Sequence, residues 1–173
     1  LERSRVTSTS KALERSYHVF YELVAGKRDA PGPVESYHYL SLSGQTTCPD
    51  HNDAEEFGIL DSSLLSVGIP RSELDDVWAC VAAMLFLGNI KFGNADNANI
   101  DALGATDPLR VAEKLLGVDD MSKLLVTRQI IVNGETTVVN HNPDQAFAAR
   151  DALVKIMYDR MFVYLVNRIN ATV

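Results

Sequence analysis

A mainly α-helical fold carrying one small β-hairpin is predicted by three observations. Apolar residues recur at spacings of three and four in several separated segments, which is the helical period. Glycine or proline marks the ends of most of those segments, and the longest, from Asp144 to about Ala171, has neither inside it. One stretch, Arg128 to Val139, changes character: Ile130-Ile131-Val132 and Thr136-Thr137-Val138-Val139 flank Asn133-Gly134, the pair that supplies the positive φ angles of a two-residue hairpin turn.

The elements follow in order. Residues 11–25 read as an amphipathic helix through Leu13, Tyr17, Phe20, Tyr21 and Val24, with Ser10 as N-cap and Gly26 as stop. Residues 27–50, with Pro31, Gly32, Pro33, Gly44 and Pro49, read as loop around an aromatic patch at Tyr37-His38-Tyr39-Leu40. Asn52 or Asp53 caps a helix running to about Val67, ended by Gly68. Pro70 opens the next helix, whose apolar residues surround its axis and predict burial. Residues 93–105 are small and polar and predict an exposed loop. Asp107-Pro108 starts a helix closed by Gly117, and Asp119 and Asp120 cap a short one through Val126. From Asp144 to about Ala171 a single long helix is predicted, with Leu153, Ile156, Met157, Phe162, Leu165 and Ile169 as its buried stripe.

Composition narrows the function. The chain has 173 residues, 46% hydrophobic and 23% charged, with a net charge of −7. An acidic chain without a Lys/Arg run lacks the footprint for duplex nucleic acid or an anionic membrane surface. The longest apolar run, residues 77–87, is too short to span a bilayer. The first residues, Leu1-Glu2-Arg3-Ser4-Arg5, are not a signal peptide. Both ends read as cut from a longer chain, and Cys48 and Cys80, in no zinc-type spacing, suit a reducing compartment.

Known catalytic signatures are absent. The chain holds no GxxxxGK[ST], GxGxxG, HExxH or GxSxG. Its four histidines, at 18, 38, 51 and 141, are scattered. His18 reads as a packing residue, and although His38 and His51 flank one loop, no carboxylate or thiol completes a recognisable ligand set, so no metal is expected. Glu55-Glu56 and Asp75-Asp76 read as first-turn carboxylates that oppose a helix dipole.

Five blocks, in register along the whole chain, resemble the myosin motor domain. Leu1-Glu2-Arg3-Ser4-Arg5-Val6 resembles L-E-K-S-R-V. The run from Glu14-Arg15-Ser16-Tyr17-His18 to Leu23 is similar to E-R-N-Y-H-I-F-Y-Q-L. Met84-Leu85-Phe86-Leu87-Gly88-Asn89-Ile90-Lys91-Phe92 resembles I-L-H-L-G-N-I-x-F, with Phe86 where His is usual. Ala112-Glu113-Lys114-Leu115-Leu116-Gly117-Val118 matches the next family helix. Arg150-Asp151-Ala152-Leu153-Val154-Lys155, with Tyr158, Arg160, Phe162 and Arg168-Ile169-Asn170, resembles R-D-A-L-A-K-x-x-Y-x-R-L-F…R-I-N.

The resemblance implies a helical subdomain of a P-loop motor domain, the upper actin-facing segment between switch I and switch II, with an N-terminal strand remnant at residues 1–7. It implies a parent ATPase that moves on actin using Mg-ATP. The nucleotide and catalytic residues would lie outside this chain, so the segment alone is expected to be inactive and to bind no cofactor. Implied partners are the actin filament, the remainder of the heavy chain and, through an absent neck, light chains. The implied location is the cytoplasm, on the actin cytoskeleton.

Two elements are expected at the actin surface: a loop-4-like segment at 93–99, and a cardiomyopathy-loop-like hairpin at 128–142, ahead of the long helix at 144–171. The residues assigned to actin are Ile131, Val132, Gly134, Glu135, Thr136 and Val138 of the hairpin and Asn94 and Asp96 of the loop. In the family the position sixteen before the Asp of D-A-L-x-K is usually acidic or phosphorylatable; counted back from Asp151 it is Glu135. From the residues alone, the hairpin's apolar face either packs on the helices beneath it or meets a partner. A non-motor helical scaffold module is the alternative function.

Overall fold

The computed structural model describes residues 2–8, 14–93, 96–100, 104 and 106–172. Seven α-helices lie among them: α1 (His18–Ala25), α2 (His38–Ser41), α3 (Asp53–Ser66), α4 (Arg71–Gly88), α5 (Pro108–Leu116), α6 (Met121–Val126) and α7 (Pro143–Thr172). Between α6 and α7 stands the antiparallel pair β1 (Thr127–Val132) and β2 (Glu135–Asn140).

The centre of the core is α4, as its all-round apolar pattern predicts. Leu74, Val77, Trp78, Val81 to Leu85 and Leu87 are buried, and α1, α2, α3, α5 and α7 all pack on it. The Trp78 indole donates to Asp61 of α3 at 2.8 Å, and Arg71 holds the same carboxylate through both terminal nitrogens at 2.8 Å. These bonds hold the Asp61 carboxyl below the usual carboxylate range, chiefly through Arg71. Where α2 crosses the end of α4 there is no room for a side chain: a Cβ on Gly88 would lie 2.6 Å from the Tyr39 ring.

Helix ends follow the sequence where a short-range cap exists. Asn52 accepts from the Glu55 N–H at the start of α3. Asp107 accepts from the Leu109 N–H with Pro108 at the first position, and Gly117 closes α5 in the left-handed conformation.

Four expectations are corrected. The first helix begins at His18, and Glu14 to Tyr17 precede it outside any helix; residues 10–13 lie outside the described set. The groups of this segment bond to tertiary partners instead. The Ser16 N–H donates to the Tyr21 hydroxyl, the Ser16 hydroxyl donates to the Arg5 carbonyl, and the Arg15 carbonyl accepts from the Arg5 guanidinium. The expected N-terminal strand is a 3-10 turn at Arg3–Val6, packed on α7 with Val6 fully buried and no partner strand among the described residues. Asp120 does not cap α6; it takes a positive φ of 59°, and the buried Glu113 of α5 accepts from the Met121 N–H at 3.0 Å.

The buried row of α7 is also different. Its fully buried row is Ala146, Arg150, Val154 and Tyr158, one residue per turn, while Leu153, Met157, Leu165 and Ile169 of the expected stripe are half-buried against the core. Ile156 and Phe162 are 57% and 43% exposed. Along this helix of 30 residues, roughly 45 Å long, the apolar periodicity continues past the last fully buried position, with Met161, Leu165 and Ile169 only half-buried against the core.

Candidate functional site

The hairpin is built as its sequence requires. Asn133 and Gly134 take φ of 53° and 84°, the values a type I′ turn needs. The register pairs Val132 with Glu135, Ile131 with Thr136, Gln129 with Val138 and Arg128 with Val139. Alternation then separates two faces. Gln129, Ile131, Thr136 and Val138 share the outer face, where Ile131 is 78% and Val138 52% exposed. Ile130 and Val139 share the other face and are half-buried. The choice left open by sequence is therefore divided between the two faces: one leans on the protein and the other meets solvent.

Glu135 opens β2 beside the turn and is exposed, as are Gly134 and Thr136. Its side chain makes no hydrogen bond or ion pair with the described residues. It stands on the face of Ile130 and Val139, opposite to the side from which Ile131 and Val138 project. Asp96 is exposed, while Asn94 lies outside the described residues. The 96–100 segment joins the foot of the hairpin and not its tip: the Ala98 N–H donates to the His141 carbonyl at 2.7 Å, and the His141 N–H to the Val126 carbonyl at 2.8 Å. Strand geometry puts Glu135 roughly 20 Å from that foot. The structure thus brings six of the eight assigned residues together at the hairpin tip and sets Asp96 apart.

Rigidity comes from α7. Asn142 and Gln145 cap its start reciprocally: the Gln145 N–H donates to the Asn142 side-chain oxygen at 2.9 Å and the Asn142 N–H to Gln145 Oε1 at 3.1 Å. One turn further, the buried Arg150 donates to the Gly88 and Ile90 carbonyls at 3.0 and 3.2 Å, neutralising the C-terminal end of α4. It also donates to Asp151 Oδ1 at 2.7 Å, the atom to which the Tyr39 hydroxyl donates at 2.6 Å. Burial pushes the Tyr39 hydroxyl well above its ordinary value. Hairpin, α7 and α4 are thus one connected frame.

The histidines group differently from the sequence expectation. His51 lies against His18, ring centroids 4.8 Å apart, while His38 packs on Tyr39. His51 Nε2 is 3.1 Å from Glu22 Oε1 and 3.4 Å from Asp53 Oδ1. Sequence reasoning missed this cluster, and it missed Arg150 and Glu113 as buried anchors. The only signal for the cluster was His18 and Glu22 four apart on a helix, and the third member arrives from across the following loop.

The groove between residues 89–93 and Asn99, Ile100, Asp107 and Pro108 carries one cation, Lys91. Among the described residues no helix is long and apolar enough to cross a membrane.

Comparison with known proteins places these features. The family described as Myosin head (motor domain) matches residues 1–173. The chain is 36% identical over 180 residues to Myosin-2 of Lachancea kluyveri, an alignment covering 98% of the chain and 11% of that protein. It is 36% identical over 185 residues to Myosin-6 of Arabidopsis thaliana, covering all of the chain and 12% of that protein. Against Myosin-I heavy chain of Dictyostelium discoideum it is 32% identical over 184 residues, covering all of the chain and 8% of that protein. The chain thus spans about a tenth of the length of these relatives.

Proposed function

The chain belongs to the myosin head (motor domain) family, and on that premise we propose that it is the part of an actin-based motor that presents the 127–140 hairpin to the filament. The observation that carries this reading is the outer hairpin face. Ile131 and Val138 are left in water on two strands whose foot is bonded to a rigid helical frame. An apolar surface held out by a rigid support suits a docking partner that desolvates it. Glu135 at the tip adds a fixed negative charge, which would meet basic groups on actin and speed productive encounter. Because the charge is permanent, docking would need no phosphorylation at this position.

Mg-ATP would be held by parts of the heavy chain that carry a phosphate loop and the two switches; this segment supplies none of their residues. Its share of the work is positional. The exposed apolar residues of the second half of α7, among them Phe162, Val163, Tyr164 and Val166, would be covered by the rest of the heavy chain. The reading implies a location on the actin cytoskeleton, with Asp96 as a secondary contact.

The test uses the full-length motor. Glu135→Lys is expected to weaken actin-activated ATP turnover while basal turnover stays near the parent value. If both rates fall together, Glu135 acts through the fold and not through the filament.

A further inference from the structure

We propose that His18, Glu22 and His51 form a binding site for a zinc-class divalent cation, which would staple α1 to the segment leading into α3. One ligand atom from each of the three lies within 4.8 Å of the others. His18 and Glu22 sit one helical turn apart on α1 and point the same way. His51 reaches them from the residues just before the Asn52 cap.

The donor set argues for the class of ion. Two imidazoles and one carboxylate suit zinc and its neighbours, whereas magnesium and calcium prefer all-oxygen shells. Two atoms ligating the same tetrahedral zinc at about 2.0–2.1 Å stand roughly 3.3 Å apart. The separation of His51 Nε2 and Glu22 Oε1, 3.1 Å, is already close to that edge. His18 is exposed and free to swing by the remaining ångström or so, and Glu22 is 7% exposed and anchored.

Charge and surroundings are compatible with a dication. Asp53 Oδ1 lies 3.4 Å from His51 Nε2 and is held by Arg15, whose amino nitrogen Nη2 reaches both oxygens at 2.9 and 2.8 Å. Glu22 and Asp53 outweigh Arg15 by one negative charge. Asp53 approaches the same His51 nitrogen, Nε2, and so adds negative charge on the side where the ion would bind. His18 lines a shallow hollow with Gln45, Thr47 and Cys48, and His51 lines another with Pro49 and Asp50, so the ion has an open approach and water can fill its fourth position. Binding replaces the proton that His51 Nε2 shares with Glu22; that proton moves to Nδ1 or to solvent.

The consequence would be mechanical. The chain between α1 and α3 runs through residues 26–52, α2 included, and a metal bridge would close that excursion.

Zinc chloride, titrated calorimetrically into the full-length protein with magnesium held in excess, tests the site. One zinc equivalent should bind, and Co2+ in its place should give the visible absorption of a tetrahedral ion. His18→Ala removes an exposed ligand without touching the core and should weaken zinc binding roughly tenfold or more, with Glu22→Gln and His51→Ala behaving alike. His18→Ala with the parent melting temperature and unchanged zinc affinity would overturn the proposal, as would the absence of a zinc equivalent that magnesium fails to displace.

Discussion

The two halves of α7 bury their apolar side chains to different depths. Residues 143–158 bury Ala146, Arg150, Val154 and Tyr158 against α4 and the N-terminal turn, and Tyr158 stacks on Tyr17 at 4.8 Å. Residues 159–172 hold no fully buried side chain among those described: Met161, Leu165 and Ile169 are half-buried against the core, and Phe162, Val163, Tyr164 and Val166 are exposed. The same period runs through both halves, so sequence alone does not separate them. Only what lies beneath decides which part is scaffold and which part is surface. The hairpin repeats the division within a few residues, with Ile130 and Val139 inward and Ile131 and Val138 outward.

Substitutions can break that comparison. Tyr158→Ala removes a buried ring and is expected to cost about 3–5 kcal/mol in denaturant unfolding. Phe162→Ala should change the stability of this chain by less than about 0.5 kcal/mol. The same change should cost more in the full-length protein if neighbouring segments cover the second half. Equal costs for Tyr158→Ala and Phe162→Ala in this chain would erase the distinction.

Arg150→Met keeps the volume but leaves the Gly88 and Ile90 carbonyls unpaired, for an expected loss of about 2–3 kcal/mol. A smaller effect would mean that Arg150 packs without anchoring. Leu153→Ala, a half-buried site, should cost about 1–2 kcal/mol, below a full core truncation.

The smallest effect concerns a charged tie in the second half, between Arg168 and Glu73. Arg168, and after it Tyr164, hold the Glu73 carboxyl below its ordinary 4.5. A depressed carboxylate stabilises the fold above the unfolded value and loses that contribution as pH falls through the folded one. Glu73→Gln should therefore lower the urea midpoint slightly at neutral pH, and the difference should vanish in acid below the carboxylate range. A gap that persists there would assign the effect to packing.

Legibility followed sequence distance. The Asn133-Gly134 turn, the Asp107-Pro108 start and Gly117 stop of α5, and the all-round apolar α4 were readable because each signal lies within a few residues of its effect. The late start of α1 was not readable. Ser16 and Arg15 take partners at Arg5 and Asp53, which no local pattern reveals. The N-terminal segment was read as strand from its resemblance, and it coils because no described strand lies beside it. Glu113 caps α6 from the preceding helix, a contact that outcompetes the Asp120 side chain nearby in sequence. The hairpin itself was legible from its turn chemistry, while the residues assigned on it came from the resemblance, and their division between two faces required the register to be seen. The separation of Asp96 from the tip required the Ala98–His141 bond to be seen.

The most direct test is the double substitution Ile131→Ser with Val138→Ser in the full-length motor, with melting temperature, basal ATP turnover and actin-activated turnover measured on one preparation. Both side chains already stand in water, so stability and basal turnover should hold while the actin concentration for half-maximal activation rises severalfold. Unchanged actin activation would contradict the account.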